Sequence, residues 1–205
     1  MTNTKAETPR ELYNILLLGD PRTGKTHFFN ELCETYTSEV PLTPKAHSKS
    51  IMPSAYINTT NIDICTFDYN IRGHNMRIQL WDTPGSSAYQ QIVARFMTKP
   101  FNMIIIMFTA DTISKVSHWI EFINKQKLSY TPTIVLMENG HTLAQYPQHQ
   151  SPDTFIIKYP YLKFSINLCG QSSYILKTII EEAIIDKSNT TPICCRDRKN
   201  NRCCF

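Results

Sequence analysis

The sequence predicts an α/β chain, a mostly parallel sheet with helices laid over it. Three observations carry this expectation. Apolar runs alternate with amphipathic segments almost to the end of the chain, the pattern of strands joined through crossover helices. A glycine-bounded loop ending in Gly24-Lys25-Thr26 follows the first apolar run and opens the first amphipathic one. The 205 residues, 41% hydrophobic and 19% charged, suit one globular domain with tails and a real core.

The elements follow in order. Residues 12–18 read as a strand and 25–35 as the helix after the loop. Residues 37–58 hold three prolines and many Ser and Thr without sustained periodicity; a loop of this length is commonly functional or mobile. Residues 62–68 and 76–82 alternate with period two around the turn residues 70–75 and form an antiparallel hairpin. The run MIIIMF at 103–108 is a fully buried strand, 113–128 an amphipathic helix, and 132–137 a second buried strand. Ser151-Pro152-Asp153 opens a helix, with a cap, a proline at the first helical position and an early acid. The last strand is 161–166 and the last helix 171–186. The expected organisation is a flexible N-terminus at 1–10, one domain at 11–186 and a tail at 187–205.

Composition removes several classes. The longest purely apolar run, 103–108, is far short of the roughly 20 residues of a spanning helix. The polar start MTNTKAETPRE carries no secretory signal. The net charge is +4, but residues 1–186 hold equal numbers of acids and bases, and the whole excess lies in Lys187, Arg196, Arg198, Lys199 and Arg202 against Asp197. Such a body offers no basic face for nucleic acid, and the tail points to an anionic surface. Cys33, Cys65 and Cys169 read as small buried hydrophobes of a reducing compartment.

The loop Gly19-Asp20-Pro21-Arg22-Thr23-Gly24-Lys25-Thr26 fits GxxxxGK[ST] between a strand and a helix. Backbone N–H groups of such a loop surround phosphates, and the helix N-terminus adds its positive dipole end. Lys25 then reaches the terminal phosphates, and the Thr26 hydroxyl ligates Mg²⁺. Pro21 and Arg22 are bulky for such a loop, and either would be strained if its place requires a positive φ. Further on, Trp81-Asp82-Thr83-Pro84-Gly85 places an acid at a strand end to hold Mg²⁺ through water, with Gly85 free to bring its N–H to the terminal phosphate.

With these motifs in order, the chain resembles the Ras superfamily, and its Rab branch in particular. The strings YNILLLGD with TGKT, YINTTNID, MRIQLWDTPG and VSHWIEFI, and a near-terminal Cys-Cys, carry the resemblance over about residues 11–186 and the tail. It implies a small-GTPase fold: a six-stranded, mostly parallel sheet with one antiparallel edge strand and about five helices. It implies GTP/GDP and Mg²⁺ as ligands, slow hydrolysis, and recruitment of effectors to membranes. By that resemblance Thr59 is the switch threonine that closes over Mg²⁺ and the γ-phosphate, and Ile64, Trp81 and Phe96 form the surface shown to effectors, with ordinary core packing the alternative for Trp81 and Phe96. Exchange proteins and GTPase-activating proteins are the other implied partners.

Departures from the pattern bear on mechanism. Ser86 stands where the family has its water-positioning Gln, which predicts slow hydrolysis or none. The guanine-reading NKxD becomes Asn139-Gly140-His141-Thr142, and the hydroxyl of Thr142 cannot supply a bidentate carboxylate. The loop that completes the base site is altered to Ser165-Ile166-Asn167. Thr26 and Thr59 are 33 residues apart, longer than the resemblance implies, so Thr43 rivals Thr59 as the metal ligand. Thr59 is preferred because it directly precedes the hairpin.

The ending Arg202-Cys203-Cys204-Phe205 is not a CaaX box. It resembles Rab tails that the prenylation machinery modifies with two geranylgeranyl groups, on Cys203 and Cys204. Two lipid chains, or one with a basic patch, anchor stably, which places the chain on the cytoplasmic face of intracellular membranes. The leading expectation is a Rab-like switch in membrane traffic; the rival is a pseudo-GTPase that acts as an interaction module. An ATP-using enzyme of the same loop type is a third, weaker reading.

Overall fold

The structure is a computed structural model and describes residues 11–37, 58–71, 73–139, 161–166 and 172–188. The expected flexible N-terminus, most of the loop at 37–58, the helix starting at Ser151 and nearly all of the tail lie outside these residues, as does Cys169. Six strands form one sheet: β1 (Glu11–Leu18), β2 (Asp63–Ile71), β3 (His74–Asp82), β4 (Met103–Phe108), β5 (Thr133–Asn139) and β6 (Tyr161–Ile166). Their spatial order is β2-β3-β1-β4-β5-β6. Every neighbouring pair is parallel except β2 with β3, so the single antiparallel strand lies at the edge, as expected. Four α-helices are described: α1 (Lys25–Thr37), α2 (Gln90–Phe96), α3 (Val116–Lys125) and α4 (Ser172–Ser188).

The period-two pleat of the central strands sorts their side chains into two cores. Ile15 and Leu17 of β1 pack with Phe28 and Leu32 of α1 and with Leu176, Ile179 and Ile180 of α4. Leu16 and Leu18 face the other way, onto Val93 of α2 and Trp119, Ile120 and Ile123 of α3. All six residues of β4 are buried, because helices cover both of its faces. The edge strand β2 instead alternates buried and exposed from Cys65 to Ile71, since only one of its faces meets helix α1. Cys65 is buried there and Cys33 half-buried against the same core, in keeping with their reading as small hydrophobes.

Several boundaries differ from expectation, three of them with a clear cause or consequence. The hairpin is tighter than the turn at 70–75: β2 and β3 stay paired out to Ile71 and His74, and Gly73, at φ +83°, makes the short reversal feasible. The helix expected over 113–128 begins as a 3₁₀ segment, Ala110–Lys115, before the α-helical Val116–Lys125. Thr109 sets that start: its backbone N–H donates to Thr112 Oγ1 at 2.9 Å, within a reciprocal capping box. The last helix extends to Ser188, two residues into the expected tail. Among the described residues, no helix is long and apolar enough to cross a membrane.

Candidate nucleotide and metal site

The parallel strands run in one direction, so the loops after β1 and β3 and the end of β5 gather along one edge of the sheet, where such folds build ligand sites. The loop from Gly19 to Gly24 leaves β1 and feeds α1. Gly19 is obligatory by contact: a Cβ there would lie 2.1 Å from the Met107 carbonyl oxygen of β4. Lys25, the first residue of α1, is buried, and its Nζ donates to the carbonyls of Gly19 and Asp20, each at 2.8 Å. Burial pushes this ammonium down to about 8, against the opposing attraction of Asp82 and Asp20.

The expected strain is present at one of the two bulky positions. Arg22 has φ 65°, a left-handed conformation that costs a non-glycine residue about 1–2 kcal/mol. Gly24, at φ 93°, completes the bend without that cost.

The three residues expected to hold a metal meet at the start of α1. Thr26 Oγ1 donates to Asp82 Oδ2 at 2.7 Å, and the Thr26 and Thr59 hydroxyls lie 2.9 Å apart. Thr59 is therefore brought to Thr26 across a separation of 33 residues, while Thr43 lies outside the described residues. Asp82 is fully buried at the end of β3, and its other oxygen, Oδ1, has no hydrogen-bond partner among the described residues. Burial raises its pKa, opposed by the Thr26 hydrogen bond and by Lys25. A buried carboxylate oxygen without a partner, beside two hydroxyls, is an all-oxygen donor set that suits a hard divalent cation such as Mg²⁺.

Gly85 closes the site from the other side. A Cβ there would fall 2.4 Å from Pro21 N and 2.5 Å from Asp20 C, so only glycine allows this approach to the phosphate loop. The Thr83 hydroxyl, donating to Leu17 O at 2.6 Å, ties the same segment to β1. Ser86 follows on the rim of a cavity of about 430 Å³. Pro21, Gly85, Lys115, His118 and Trp119 line the same cavity.

The end expected to read the base is described only in part. Asn139 ends β5, and its Nδ2 donates to Thr23 O at 3.2 Å, joining that strand to the phosphate loop. Register places Ser165 beside Glu138 and Ile166 beside Asn139. Thr142 and Asn167 lie outside the described residues.

Of the expected effector surface, Ile64 is 48% exposed but Trp81 only 3%. The indole is sunk in the second core between Phe96 and Phe101, with Lys99 Nζ 5.0 Å above its ring. Of the two readings of Trp81, effector surface and core packing, this burial fits the second. Its place on β3, next to the helix-covered strand β1, buries it, and Ile64 with the partly exposed Phe96 is what that patch offers.

Sequence reasoning missed one cluster. Asp20 is buried within the phosphate loop; its Oδ1 accepts from Trp119 Nε1 at 2.8 Å and its Oδ2 pairs with Lys115 Nζ at 2.7 Å. An acid inside a loop built for anions requires nearby neutralisation. That requirement was the available signal, but which residues meet it depends on how α3 packs.

Comparisons with known proteins agree with this architecture. The family model described as Ras of Complex, Roc, domain of DAPkinase matches residues 14–140, more than half of the chain. The GTP-binding protein ypt1 of Schizosaccharomyces pombe is 23% identical over 117 residues, 56% of this chain and 50% of that protein. The Ras-related protein Rab-19 of Xenopus laevis is 25% identical over 136 residues, 65% of this chain and 56% of that protein. The human EF-hand calcium-binding domain-containing protein 4B is 25% identical over 146 residues, 70% of this chain but 18% of that protein. The chain thus spans about half the length of the first two. By its Roc match, its sheet order and its Rab and Ypt relatives, the chain belongs to the Ras-type GTPase domains as a divergent Rab-like small GTPase.

Proposed function

We propose that this chain is a Mg²⁺-dependent GTP/GDP switch with feeble hydrolysis. The observation that carries the reading is the convergence of Thr26, Thr59 and Asp82 beside Lys25. Thr59 and Gly85 belong to two segments that meet the phosphate loop and the start of α1 at different places, Thr59 at Thr26 and Gly85 at Asp20 and Pro21, so a bound terminal phosphate would hold both in place, and its loss would release them. Lys25 would exchange the two loop carbonyls for phosphate oxygens, restoring the charge that burial now disfavours. Mg²⁺, held by the Thr26 and Thr59 hydroxyls and the Asp82 carboxylate, would neutralise part of the phosphate charge. Ser86 at the cavity rim is too short to orient water as a Gln does.

The finer expectations form part of the proposal. Effectors and exchange and GTPase-activating proteins would read the two moving segments, with Ile64 and Phe96 at their border. Geranylgeranyl groups on Cys203 and Cys204, with the basic tail, would place the chain on the cytoplasmic face of membranes in vesicle traffic. The rival reading, a pseudo-GTPase interaction module, draws on the self-contained loop. There Lys25 is satisfied by backbone carbonyls, and Gly85 is already packed on Asp20 and Pro21.

Affinities for GDP, GTP, ADP and ATP with and without Mg²⁺ decide between them. Mg²⁺-dependent binding with guanine preferred supports the switch; no binding of any nucleotide overturns it. Ser86→Gln is expected to speed single-turnover GTP hydrolysis about tenfold or more, and an unchanged rate would remove Ser86 as the cause of slowness.

A further inference from the structure

The register of the edge hairpin sets a second carboxylate beside the metal corner. Asp63 opens β2 directly opposite Asp82, which ends β3. Residues opposite each other in an antiparallel pair share a face of the sheet, with Cβ atoms about 5 Å apart. The shared face is the one that carries Cys65, Phe67, Ile78 and Leu80 into the core under α1. Asp63 therefore lies at the end of that face where α1 begins, four residues after Thr59 and next to the contact of Asp82 with Thr26. The two acids differ in setting. Asp82 is fully buried and its Oδ1 has no hydrogen-bond partner among the described residues, whereas Asp63 is exposed. Burial raises the Asp82 pKa most, and the Asp63 charge pushes it the same way. Among the described residues no ion pair neutralises Asp63.

We propose that Asp63 is an outer carboxylate of the metal corner, which accepts hydrogen bonds from water on the cation and makes that cation necessary to offset its repulsion with Asp82. Mg²⁺ sheds its waters reluctantly and keeps several of them in protein sites. An exposed carboxylate beside the buried one suits those waters, while Asp82, Thr26 and Thr59 supply the direct oxygens. Like charges directly opposite across a strand pair destabilise it, so loss of the cation is felt in the edge hairpin as well as in nucleotide affinity. The inference rests on the Mg²⁺-dependent reading above.

The test compares the full chain with Asp63→Asn and, as a control for net charge, with Asp68→Asn. Asp68 lies on the opposite face of β2, paired with Arg77, about 17 Å along the strand from Asp63 and beyond the screening length at physiological salt. GDP affinity is measured against Mg²⁺ concentration, and the melting midpoint is measured in a chelator without nucleotide. In Asp63→Asn the Mg²⁺ concentration that half-restores GDP binding should rise about tenfold. Its midpoint in chelator should equal or exceed that of the wild type, because the repulsion is gone. Asp68→Asn should leave the Mg²⁺ requirement within about twofold. An unchanged requirement in Asp63→Asn overturns the proposal. So does an equal shift in Asp68→Asn, which would make the effect one of net charge, and so does a lower midpoint of Asp63→Asn in chelator, which would make Asp63 a structural residue of β2. A wild-type chain that binds no GDP, or binds it equally with and without Mg²⁺, overturns the underlying reading instead.

Discussion

The corner proposed for phosphate and metal and the end proposed for the base lie along the same edge of the sheet, and they keep the expected residues unequally. At the first, Lys25, Thr26, Thr59, Asp82 and Gly85 keep their chemistry and are drawn together by hydrogen bonds and close backbone approach. At the second, Asn139 keeps its place against Thr23, while Gly140 and Thr142 stand where the proposed base site calls for a cation and a carboxylate. The lesson concerns what each corner asks of a sequence. Phosphate binding uses backbone groups, one buried cation and hard oxygen donors, and is tied to the sheet that folds the chain. Base reading uses side chains at the tips of loops, which can change without disturbing the core.

The comparison breaks first at Asp82. Replacing it by Asn leaves the Thr26 contact feasible but removes the charge, and nucleotide affinity in Mg²⁺ should fall about a hundredfold. Equal affinities with and without Mg²⁺ in the wild type would mean that the intact corner has lost its metal as well. Next is Gly85→Ala, whose methyl would meet the Asp20–Pro21 backbone at 2.4–2.5 Å. It should lower stability by about 2 kcal/mol, read as a fall in the denaturation midpoint. A midpoint equal to wild type would mean that the segment swings away from the loop freely.

The other corner is sharpened by repair. Thr142→Asp restores the bidentate acceptor and should raise the preference for GDP over ADP about tenfold or more. An unchanged ratio would show that the segment after Asn139 no longer reaches the base. The smallest effects belong to the cluster that braces the phosphate loop. Trp119→Phe keeps the ring packing but leaves the buried Asp20 one donor short, which should cost about 1–2 kcal/mol. Lys115→Ala should cost less than about 1 kcal/mol, because the Lys115 side chain is 61% exposed and its pairing is screened by solvent. Urea denaturation of both variants checks that order.

Much of the molecule was legible in residues alone. Apolar runs marked the strands, with period-two alternation for the hairpin alone, and the GxxxxGK[ST] loop and the Asp82–Gly85 motif marked the corner proposed for phosphate and metal. The boundaries that moved, at the hairpin turn and at the start of α3, were set by a glycine-assisted reversal and a threonine capping box. Local propensity locates such devices only to within a few residues. The place of Trp81 was left open between core and surface, because a large aromatic on a strand serves either equally well as a sequence symbol.

The order of elements, the GxxxxGK[ST] loop and the presence of Ser86 and Thr142 at places where the family resemblance expects Gln and Asp could be read from contiguous residues and fixed spacings. Folding in three dimensions was needed to show that Thr59 reaches Thr26 across 33 residues, that Trp81 is buried, that Trp119 and Lys115 bind the Asp20 carboxylate, and that Arg22 carries the left-handed bend. The first three are pairings between segments far apart in the chain, and they exist only once the sheet order has chosen which segments are neighbours. The bend at Arg22 is set by the path the loop must take between β1 and α1, which no propensity of arginine would indicate.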